Sequence, residues 1–577
     1  MNMKMNDWSL ALLGPGEKTL LTLPVSDETG AVSVEAGGMR VTLTLKKLGG
    51  VCLFEAAAAS DAGADCYFSL IRSNVMNEML GFIGPVEERE IYRQSPHDPN
   101  QYQLRMKKQA IPMGAAKIEG GYEIALSDAP YYSDNYTTQE FIPEEHRFAI
   151  SSGDSGRKPG YQGGLSFEPY YHHIGGEKKH IFRFLIFSSE AKSLARLRLD
   201  TFRAISQCFG DGGNSLYRAI CFSTNYMHLR KNETGTSDCW VVAGIEYGNT
   251  QYIRDSFWQS MILPDAISAE CNKVLTAQRC VNAENPLILL LWAYRVFKAG
   301  SAPRMEDVNG ALERIRFCTT DGCFHPKMDS FGRVDFRSWF DLCAHTDTDV
   351  ITYNQGLYAA AMHGAYEMGC ATEEEYLLAA ERYRGMFIKE LGIYPVSREK
   401  VALCVDALVG DLLHRLLFGT HILPSEDVVS HYKIVCDRCS TKYGVKVCAA
   451  LDGSYNDVSF FGIDGYLADY FTDPKYQARP GHYIWGSSYF IYEMLFHIDA
   501  CLQGAPGAEQ NVIDRTLLDL SLGSTYFEHI DTVSGEPNKA NQGWNAAIYA
   551  IWNQLMQEGA VSGRYFEEVD KYLAAVE

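Results

Sequence analysis

The sequence lacks a long apolar segment. Its longest apolar run, LILLLWAY after Pro286, is far shorter than the roughly 18 residues that a membrane-spanning helix needs. The first residues, MNMKMNDWSLALLGPGEK, contain an apolar stretch of about five residues, which is too short for the core of a signal peptide. We therefore expect a cytoplasmic protein.

Positive charge is also scarce: 52 Lys and Arg face 72 Asp and Glu, for a formal net charge of −20. Because this charge repels phosphate groups, it argues against a nucleic-acid binder and against a protein that docks on anionic membranes. The composition is nevertheless that of a globular protein, with 46% apolar and 21% charged residues. A chain of 577 residues can bury a sizeable core without disulfide or metal cross-links.

The 16 cysteines show no repeating spacing and so do not predict a disulfide framework. One CxxC motif joins Cys436 to Cys439, with Cys448 nearby. A zinc site needs a fourth ligand, and neither a second CxxC nor an HxxxH motif follows. We interpret these cysteines as buried thiols. No glycine-rich phosphate loop precedes a helix either, so we expect no metal and no other cofactor.

The chain does contain two regions of different periodicity. Up to about residue 190, short segments alternate apolar and polar residues between Gly, Asp and Pro clusters, which is typical of an antiparallel β-sandwich. Beyond that point, apolar residues recur at three- and four-residue spacing in roughly a dozen segments, which fits six helical hairpins closed into a ring. The predicted domains are a β-sandwich over 1–190, a linker helix over 191–212 and a helical catalytic domain over 213–577.

Two segments of the helical region carry candidate catalytic carboxyls. In the first, Arg254 and Asp255 stand among the rings of Tyr252, Phe257 and Trp258. Desolvation among rings raises the pKa of a carboxyl, which suits a general acid near neutral pH. The alternative is a structural ion pair in which Arg254 keeps Asp255 ionised.

The second segment places Glu528 in a loop that leads into a helix at Trp544. A carboxylate at a loop–helix junction facing a cavity is a natural base for activating water. The alternative is a surface loop with three ordinary acids, Glu528, Asp531 and Glu536.

Together, these segments resemble the two catalytic loops of six-hairpin, (α/α)6-barrel glycoside hydrolases. Among these enzymes, they resemble the processing α-glucosidase and mannosylglycerate hydrolase family and the alkaline/neutral invertase family. In those families an Arg-Asp or Trp-Asp segment supplies the general acid. A late aromatic-Glu segment, followed by a Trp-Ser-Ala helix, supplies the second carboxylate. Arg254-Asp255 matches the first pattern, and Phe527-Glu528 followed by Trp544 matches the second.

The resemblance implies an N-terminal β-sandwich followed by an (α/α)6 barrel, with Asp255 as the general acid and Glu528 as the base. It also implies an inverting, exo-acting hydrolase whose two carboxyls lie roughly 6.5 to 9.5 Å apart. The chain departs from the families at His529-Ile530, where an aromatic pair is more usual, and at Asn545, where Ser is usual. These departures bear on the substrate more than on the reaction type.

Further aromatic, amide and charged side chains are candidates for sugar binding. In a ring of hairpins, the loops at one end of the helices converge on a cavity, where rings stack on a sugar and amides bond its hydroxyls. For each candidate, plain packing is the competing interpretation. The predicted binding residues are Arg254, Trp258, Trp339, Asp341, Tyr353, Asn354, Trp485 and Trp544.

The favoured function is hydrolysis of a short oligosaccharide or a small glycoside, with that carbohydrate as the partner. A glycoside phosphorylase of similar architecture is one alternative, but it dispenses with the base that Glu528 offers. A sugar epimerase with paired histidines is another, and the spacing of His172, His173 and His345 does not support it. A non-catalytic carbohydrate-binding protein would keep the aromatic residues without needing both carboxylates.

Overall fold

The computed structural model divides by its internal contacts into two compact units, Met1–Thr250 with Phe566–Glu577, and Gln251–Tyr565. Most of the segment 191–212, where the sequence predicts a linker, lies outside the described residues, so that boundary stays a prediction. In the part of the chain that the structure describes, no helix is both long and apolar enough to cross a membrane. The described residues are 7–25, 31–75, 79–80, 85–86, 113–127, 138–142, 145–153, 171–191, 196–197, 200–201, 204, 207–208, 226–231, 237–243, 252–261, 282–327, 337–340, 343–462, 479–522, 527–539 and 542–575.

The first unit is built mainly from strands that pair antiparallel. These strands are β1 (Trp8–Gly14), β2 (Lys18–Pro24), β3 (Ala31–Ala36), β4 (Met39–Leu48), β5 (Val51–Ser60), β6 (Ala64–Arg72), β7 (Met79–Leu80), β8 (Pro85–Val86), β9 (Met113–Ile118), β10 (Gly121–Ser127), β11 (Thr138–Ile142), β12 (Arg147–Ser151), β13 (His172–Ile174), β14 (His180–Ser189), β15 (Tyr226–Lys231) and β16 (Ser237–Val242). One sheet has the order β11-β12-β6-β1-β2, with β13 also on β6. A second has the order β3-β4-β5-β14-β10-β9-β7-β8, and β15 pairs with β16.

The two larger sheets contribute side chains to one hydrophobic core. Along β5, every second side chain is buried, as expected of a strand with one face against a core. Phe54 of β5 stacks on Phe184 of β14, with 5.0 Å between ring centroids. Phe68 of β6, in the other sheet, lies 6.3 Å from Phe182 of β14. The alternating pattern of the sequence therefore corresponds to paired strands with a common buried side.

The second unit is built mainly from helices. These are α1 (Ile253–Ser260), α2 (Asn285–Lys298), α3 (Met305–Phe317), α4 (Thr352–Glu367), α5 (Glu373–Arg384), α6 (Val409–Phe418), α7 (Ser425–Cys439), α8 (Val458–Phe461), α9 (Phe490–Leu502), α10 (Ala508–Ser521) and α11 (Ala547–Gln557). The last helix, α12 (Arg564–Ala575), belongs mostly to the first unit. Short strands join some helices of the second unit: β17 (Thr319–Thr320), β18 (Cys323–Phe324), β19 (Leu403–Cys404), β20 (Ser440–Thr441), β21 (Gly444–Val445), β22 (Cys448–Ala449), β23 (Ser488–Tyr489), β24 (His529–Ile530) and β25 (Pro537–Asn538). The mixed α and β class expected from the sequence is thus confirmed.

Capping signals in the sequence set several helix ends. Pro286 stands in the first turn of α2, where its missing N–H costs no intrahelical bond. Thr372 and Glu375 form a reciprocal capping box at the start of α5. Gly419 ends α6 in the left-handed conformation, with φ of 81°, which glycine adopts without strain.

Six of the described helices contact one another in a closed order. α1 packs on α2, α2 on α4, α4 on α6, α6 on α9, α9 on α11, and α11 on α1. The helices α3, α5 and α10 each pack on the preceding member of this ring. Residues 352–362 of α4 are all buried, as expected of a helix enclosed on every side. Where α6 crosses α4, a Cβ on Gly410 would lie 2.2 Å from the carbonyl carbon of Gly356, so this approach requires glycine.

Candidate active site

The N-terminal ends of the six ring helices carry polar and aromatic side chains. A helix N-terminus has unsatisfied N–H groups and a partial positive charge, so it favours carboxylates nearby. The side chains are Asp255 in the first turn of α1, Glu284 directly before α2, Tyr353 in the first turn of α4, Asp406 in the 3-10 turn before α6, Tyr492 in the first turn of α9 and Trp544 in the 3-10 turn before α11.

Arg254 and Glu284 form a buried ion pair beside Asp255. Arg254 Nη1 donates to Glu284 Oε1 at 2.5 Å, whereas Arg254 Nε lies 4.0 Å from Asp255 Oδ2. The guanidinium also lies over the ring of Trp544, with 5.2 Å between Cζ and the ring centroid. The close partner of the arginine is therefore Glu284 and not the neighbouring Asp255.

Asp255 has the properties of a carboxyl that holds its proton near neutral pH. Burial raises its pKa to about 7, although the charge of Arg254 opposes that rise. The charge of Glu528 raises the pKa of Asp255 further, so the two candidate carboxyls lie within electrostatic reach of each other. A carboxyl that titrates near the working pH can donate its proton in a reaction and then recover it.

Backbone hydrogen bonds hold the Glu528 segment between two ring helices. The N–H of Glu528 donates to the carbonyl of Lys539 at 2.9 Å, and its carbonyl accepts from the N–H of Phe490, the first residue of α9, at 3.0 Å. Before α11, Asn545 Nδ2 donates to the carbonyl of Phe527 at 2.8 Å. These bonds fix Glu528 at the same ends of α9 and α11 that carry the aromatic residues.

Aromatic rings meet beside these carboxyls, with Tyr492 at their centre. Trp339 stacks on Tyr492 at 3.8 Å between ring centroids and donates its Nε1 to Asp406 Oδ2 at 2.6 Å. Tyr492 lies edge-on to Trp544 at 5.7 Å and to Tyr353 at 5.9 Å. Three of the predicted binding residues therefore share one aromatic neighbour.

Two predicted tryptophans have other surroundings. The ring of Trp258 lies 5.4 Å from that of Phe257, which in turn contacts the core residue Trp292, so its contacts are those of packing. Trp485 lies edge-on to Phe461 at 6.1 Å and 6.3 Å from Tyr483. The structure does not bring either ring onto Tyr492.

The last two predicted binding residues also differ from the ring cluster. Asn354 Nδ2 donates to the carbonyl of Arg337 at 2.8 Å, so its amide fixes the segment that carries Trp339. Asp341 lies outside the described residues.

Two buried acids belong to the site but were not predicted from the sequence. Glu284 is 0% exposed, and its Oε2 has no hydrogen-bond partner among the described residues. Burial raises the pKa of Asp406 to about 6, against the hydrogen bond from Trp339. Both acids lie just before a ring helix. For Glu284 the sequence offers a signal, because the following Asn285-Pro286 is a typical helix start.

His529 is a third residue that sequence reasoning did not assign to the site. Its Nδ1 lies 3.9 Å from Glu528 Oε2, and its ring stacks on Tyr489 at 5.1 Å. Burial lowers the pKa of His529 well below its usual value, so the imidazole is neutral. Neither ring nitrogen has a hydrogen-bond partner in the described part of the chain.

One group of potential metal ligands occurs among the described residues: Asp411, His421 and Asp499, with ligand atoms within 4.8 Å of one another. Burial lowers the pKa of His421, but hydrogen bonds to both aspartates raise it to about 9. Asp411 Oδ1 accepts the backbone N–H groups of Ile422 and Leu423, and Asp411 Oδ2 lies 2.6 Å from His421 Nδ1, so we interpret this group as an ion-pair network. At the CxxC motif, burial raises the pKa of Cys436 and of Cys439 to about 12, so both remain thiols.

No protein-family model matches this chain, and no curated protein matches it either. Among solved structures, a mannosylglycerate hydrolase from Thermus thermophilus matches at 13% identity and a TM-score of 0.24, over 36% of this chain and 46% of that chain. The chain thus spans about half the length of that relative. A bacterial glucoamylase complexed with acarbose matches at 10% identity and a TM-score of 0.37, over 100% of this chain and 92% of that chain. A polysaccharide lyase matches at 10% identity and a TM-score of 0.27, over 99% of this chain and 86% of that chain.

The structures that the search finds thus include a mannosylglycerate hydrolase and a glucoamylase as well as a polysaccharide lyase. Since every TM-score is below 0.5, we base the functional proposal on the residues of the site.

Proposed function

We propose that this protein is a six-hairpin glycoside hydrolase that acts on a short oligosaccharide or a small glycoside. The observation that carries the proposal is the pair Asp255 and Glu528, two buried carboxyls within electrostatic reach of each other at one end of a ring of helices. Aromatic residues of the kind that stack on sugars, including Trp339 and Trp544, meet at the same place.

The proposal includes an architecture. The six helices in closed contact and their outer partners form an (α/α)6 barrel, and the two sheets of the first unit form a β-sandwich. The closed order of helix contacts and the hydrophobic core common to both sheets support these two assignments. The domain limits 1–190, 191–212 and 213–577 and a cytoplasmic location belong to the same proposal.

In the proposed mechanism, Asp255 protonates the oxygen of the scissile glycosidic bond. Glu528 accepts a proton from a water that attacks the anomeric carbon from the opposite face of the ring. The result is inversion, with the carboxyls roughly 6.5 to 9.5 Å apart to leave room for that water. The pKa of Asp255, raised to about 7, supports the acid role because the protonated form is present near neutral pH.

Binding groups surround the reacting bond in this proposal. Trp339, Tyr353 and Trp544 offer rings to the sugar, and their common contact with Tyr492 supports a single subsite. Asn354, Asp341, Trp258, Trp485 and Arg254 complete the predicted set. No observation favours a phosphorylase. The two backbone hydrogen bonds of Glu528 fix its position, which suits a residue that must hold a water in place.

The test is a panel of disaccharides, trisaccharides and aryl glycosides incubated with the wild type and with the variants Asp255→Asn and Glu528→Gln. Glu313→Gln, which removes an exposed carboxyl, is the matched control. Proton NMR, with and without phosphate, follows the products and their anomeric form. We expect one glycoside to be cleaved with inversion by the wild type and the control only. Cleavage that requires phosphate, or equal activity of all variants, would overturn the proposal.

A further inference from the structure

Acid–base hydrolysis needs two carboxyls, yet the same end of the helix ring buries a third, on Glu284. Its side chain is inaccessible to solvent, and one of its oxygens, Oε2, has no hydrogen-bond partner among the described residues. Burying a carboxylate is costly unless its partners replace the lost water. The partner that the structure does provide is Arg254, on the helix that carries Asp255.

The position of Arg254 creates a conflict for an acid catalyst. A guanidinium next to a carboxyl lowers the carboxyl's pKa by about one to three units, because the cation stabilises the charged form. Asp255, adjacent to Arg254 in the sequence, would then be ionised near neutral pH. In the structure, however, Arg254 Nη1 lies 2.5 Å from Glu284 Oε1, while its Nε stays 4.0 Å from Asp255 Oδ2.

We propose that Glu284 is a positioning residue that holds the Arg254 guanidinium away from Asp255 and so keeps Asp255 protonated for acid catalysis. The inference rests on the proposed role of Asp255 as the general acid. Glu284 acts through Arg254 and through its own charge, and both effects favour the protonated form of Asp255.

Among the charged groups around Asp255, Glu284 is the one that can hold the Arg254 guanidinium in place. Arg254, from α1, lowers the pKa of Asp255, and the charges of Glu528 and Glu284 raise it. The phenols of Tyr353 and Tyr492 also lie close to Arg254, but burial raises the pKa of each well above 10. Both phenols are therefore neutral, and Glu284 is the anion that binds Arg254 at hydrogen-bond distance.

The sharpest variant is Glu284→Gln, which keeps the size of the side chain and an oxygen for Arg254 but removes the charge. We expect the alkaline limb of the pH profile of kcat/KM to move to lower pH by about one unit, because Arg254 then acts on Asp255 unopposed. Glu284→Asp retains the charge and should restore most of the wild-type profile.

The matched control is Glu493→Gln. Glu493 is also a buried glutamate in an ion pair, with its Oε2 at 3.1 Å from Arg515 Nε, but it is not among the groups that shift the pKa of Asp255. We therefore expect its alkaline limb to coincide with that of the wild type. Circular dichroism of each variant checks that the folded fraction is intact.

A second readout needs no substrate. Infrared difference spectra recorded across a pH range show the carbonyl stretching band of each protonated carboxyl. The band that is missing from the spectra of Asp255→Asn is assigned to Asp255. In Glu284→Gln this band should disappear at a lower pH than in the wild type. An unchanged titration would overturn the inference, with or without a known substrate. A shifted band in a protein that cleaves no glycoside would instead refute the proposed function.

Should Glu284→Gln fail to fold, Arg254→Gln tests the same relation with the opposite sign. Loss of the cation leaves Asp255 facing only Glu284 and Glu528, so its band should persist to higher pH than in the wild type. A band that titrates at the wild-type pH in this variant would also overturn the inference.

Discussion

Two buried carboxylates of the second unit, Asp411 and Glu284, have opposite surroundings. Asp411 Oδ1 accepts the backbone N–H groups of Ile422 and Leu423, at 2.5 and 2.7 Å. Its Oδ2 lies 2.6 Å from His421 Nδ1 and 2.8 Å from Gln503 Nε2. Each oxygen of Asp411 therefore has two polar contacts, and these contacts connect separate segments of the chain.

Glu284 uses only one of its oxygens. Its Oε1 accepts from Arg254, while Oε2 has no hydrogen-bond partner among the described residues. Trp544 Nε1 and both ring nitrogens of His529 have none there either. Unpaired buried polar atoms also occur elsewhere among the described residues, so these atoms are of interest because they lie in or beside the segments that carry Asp255 and Glu528. Asp411 and Glu284 are thus equally buried and differ in how many of their oxygens are hydrogen-bonded.

The largest expected effect is that of Asp255→Asn on the glycoside that the wild type cleaves. We expect kcat/KM to fall by about 10² to 10⁴, the usual contribution of a general acid, with the unfolding free energy unchanged or raised. For aryl glycosides whose leaving groups need no protonation, kcat/KM should fall much less. Steady-state kinetics and urea unfolding measure the two quantities. Equal losses for poor and good leaving groups would contradict the acid role.

Asp411→Asn should produce the reverse outcome. Removing one partner of a buried ion pair costs about 3 to 5 kcal/mol, because the remaining charged group is left without compensation. We therefore expect a large fall in the unfolding free energy, measured in urea, while kcat/KM of the folded protein stays close to that of the wild type. The exposed Asp452→Asn serves as the control for loss of a carboxylate. Loss of activity without loss of stability would remove the distinction between the two carboxylates.

Asp406 is a buried carboxyl whose role is either structural, as for Asp411, or functional, as for Asp255. Trp339→Phe tests which of the two roles it has. The variant keeps a ring against Tyr492 but removes the Nε1 donor, leaving a buried carboxylate oxygen short of a bond worth about 1 to 3 kcal/mol. If Asp406 orients Trp339 for substrate, KM should rise about tenfold with little change in kcat. Trp552→Phe, the same change in a buried ring of α11, is the control and should leave KM unaffected. A fall in stability with unchanged KM would place Asp406 with the structural charges.

The sequence predicts those parts of the site that depend on neighbouring residues in the chain. Asp255 stands among aromatic residues in the sequence, and Trp339 and Tyr353, both predicted to bind sugar, contact the same ring, that of Tyr492. Glu284 was missed because its meaning depends on Arg254, which lies 30 residues away on another helix. No periodicity specifies such a contact, since it arises only when α1 and α2 pack side by side.

The start of α2 illustrates the same limit for the fold. Asn285-Pro286 marks a helix start in the sequence, but that α2 packs between α1 and α4 in a ring of six helices is seen only in the structure. The periodicity fits such a ring without establishing its closure. Trp258 stands in the same segment as Asp255 and its ring contacts Phe257, so its part in binding stays a prediction.

The smallest expected effect concerns the pH dependence of stability. The pKa of His421 is raised to about 9 from an unfolded value of about 6.5, so its stabilising contribution is complete below pH 6.5 and lost as the pH rises through 9. Burial also raises the pKa of Asp499, so its ionisation at rising pH opposes folding in the same direction. We expect the unfolding free energy to fall by about 1 kcal/mol between pH 6.5 and 9, a value reduced for the partial exposure of His421.

Urea unfolding at closely spaced pH values measures this slope, and His421→Asn isolates the histidine. The variant should be less stable than the wild type at pH 6 and should lose less stability on the way to pH 9, because it has no imidazolium to deprotonate between Asp411 and Asp499. Asp255 also titrates in this range, but its contribution is common to both proteins and cancels in the difference. Parallel curves would mean that His421 is not the cation of the network, and the contrast between Asp411 and Glu284 would then rest on hydrogen bonds to the backbone and to Gln503 alone.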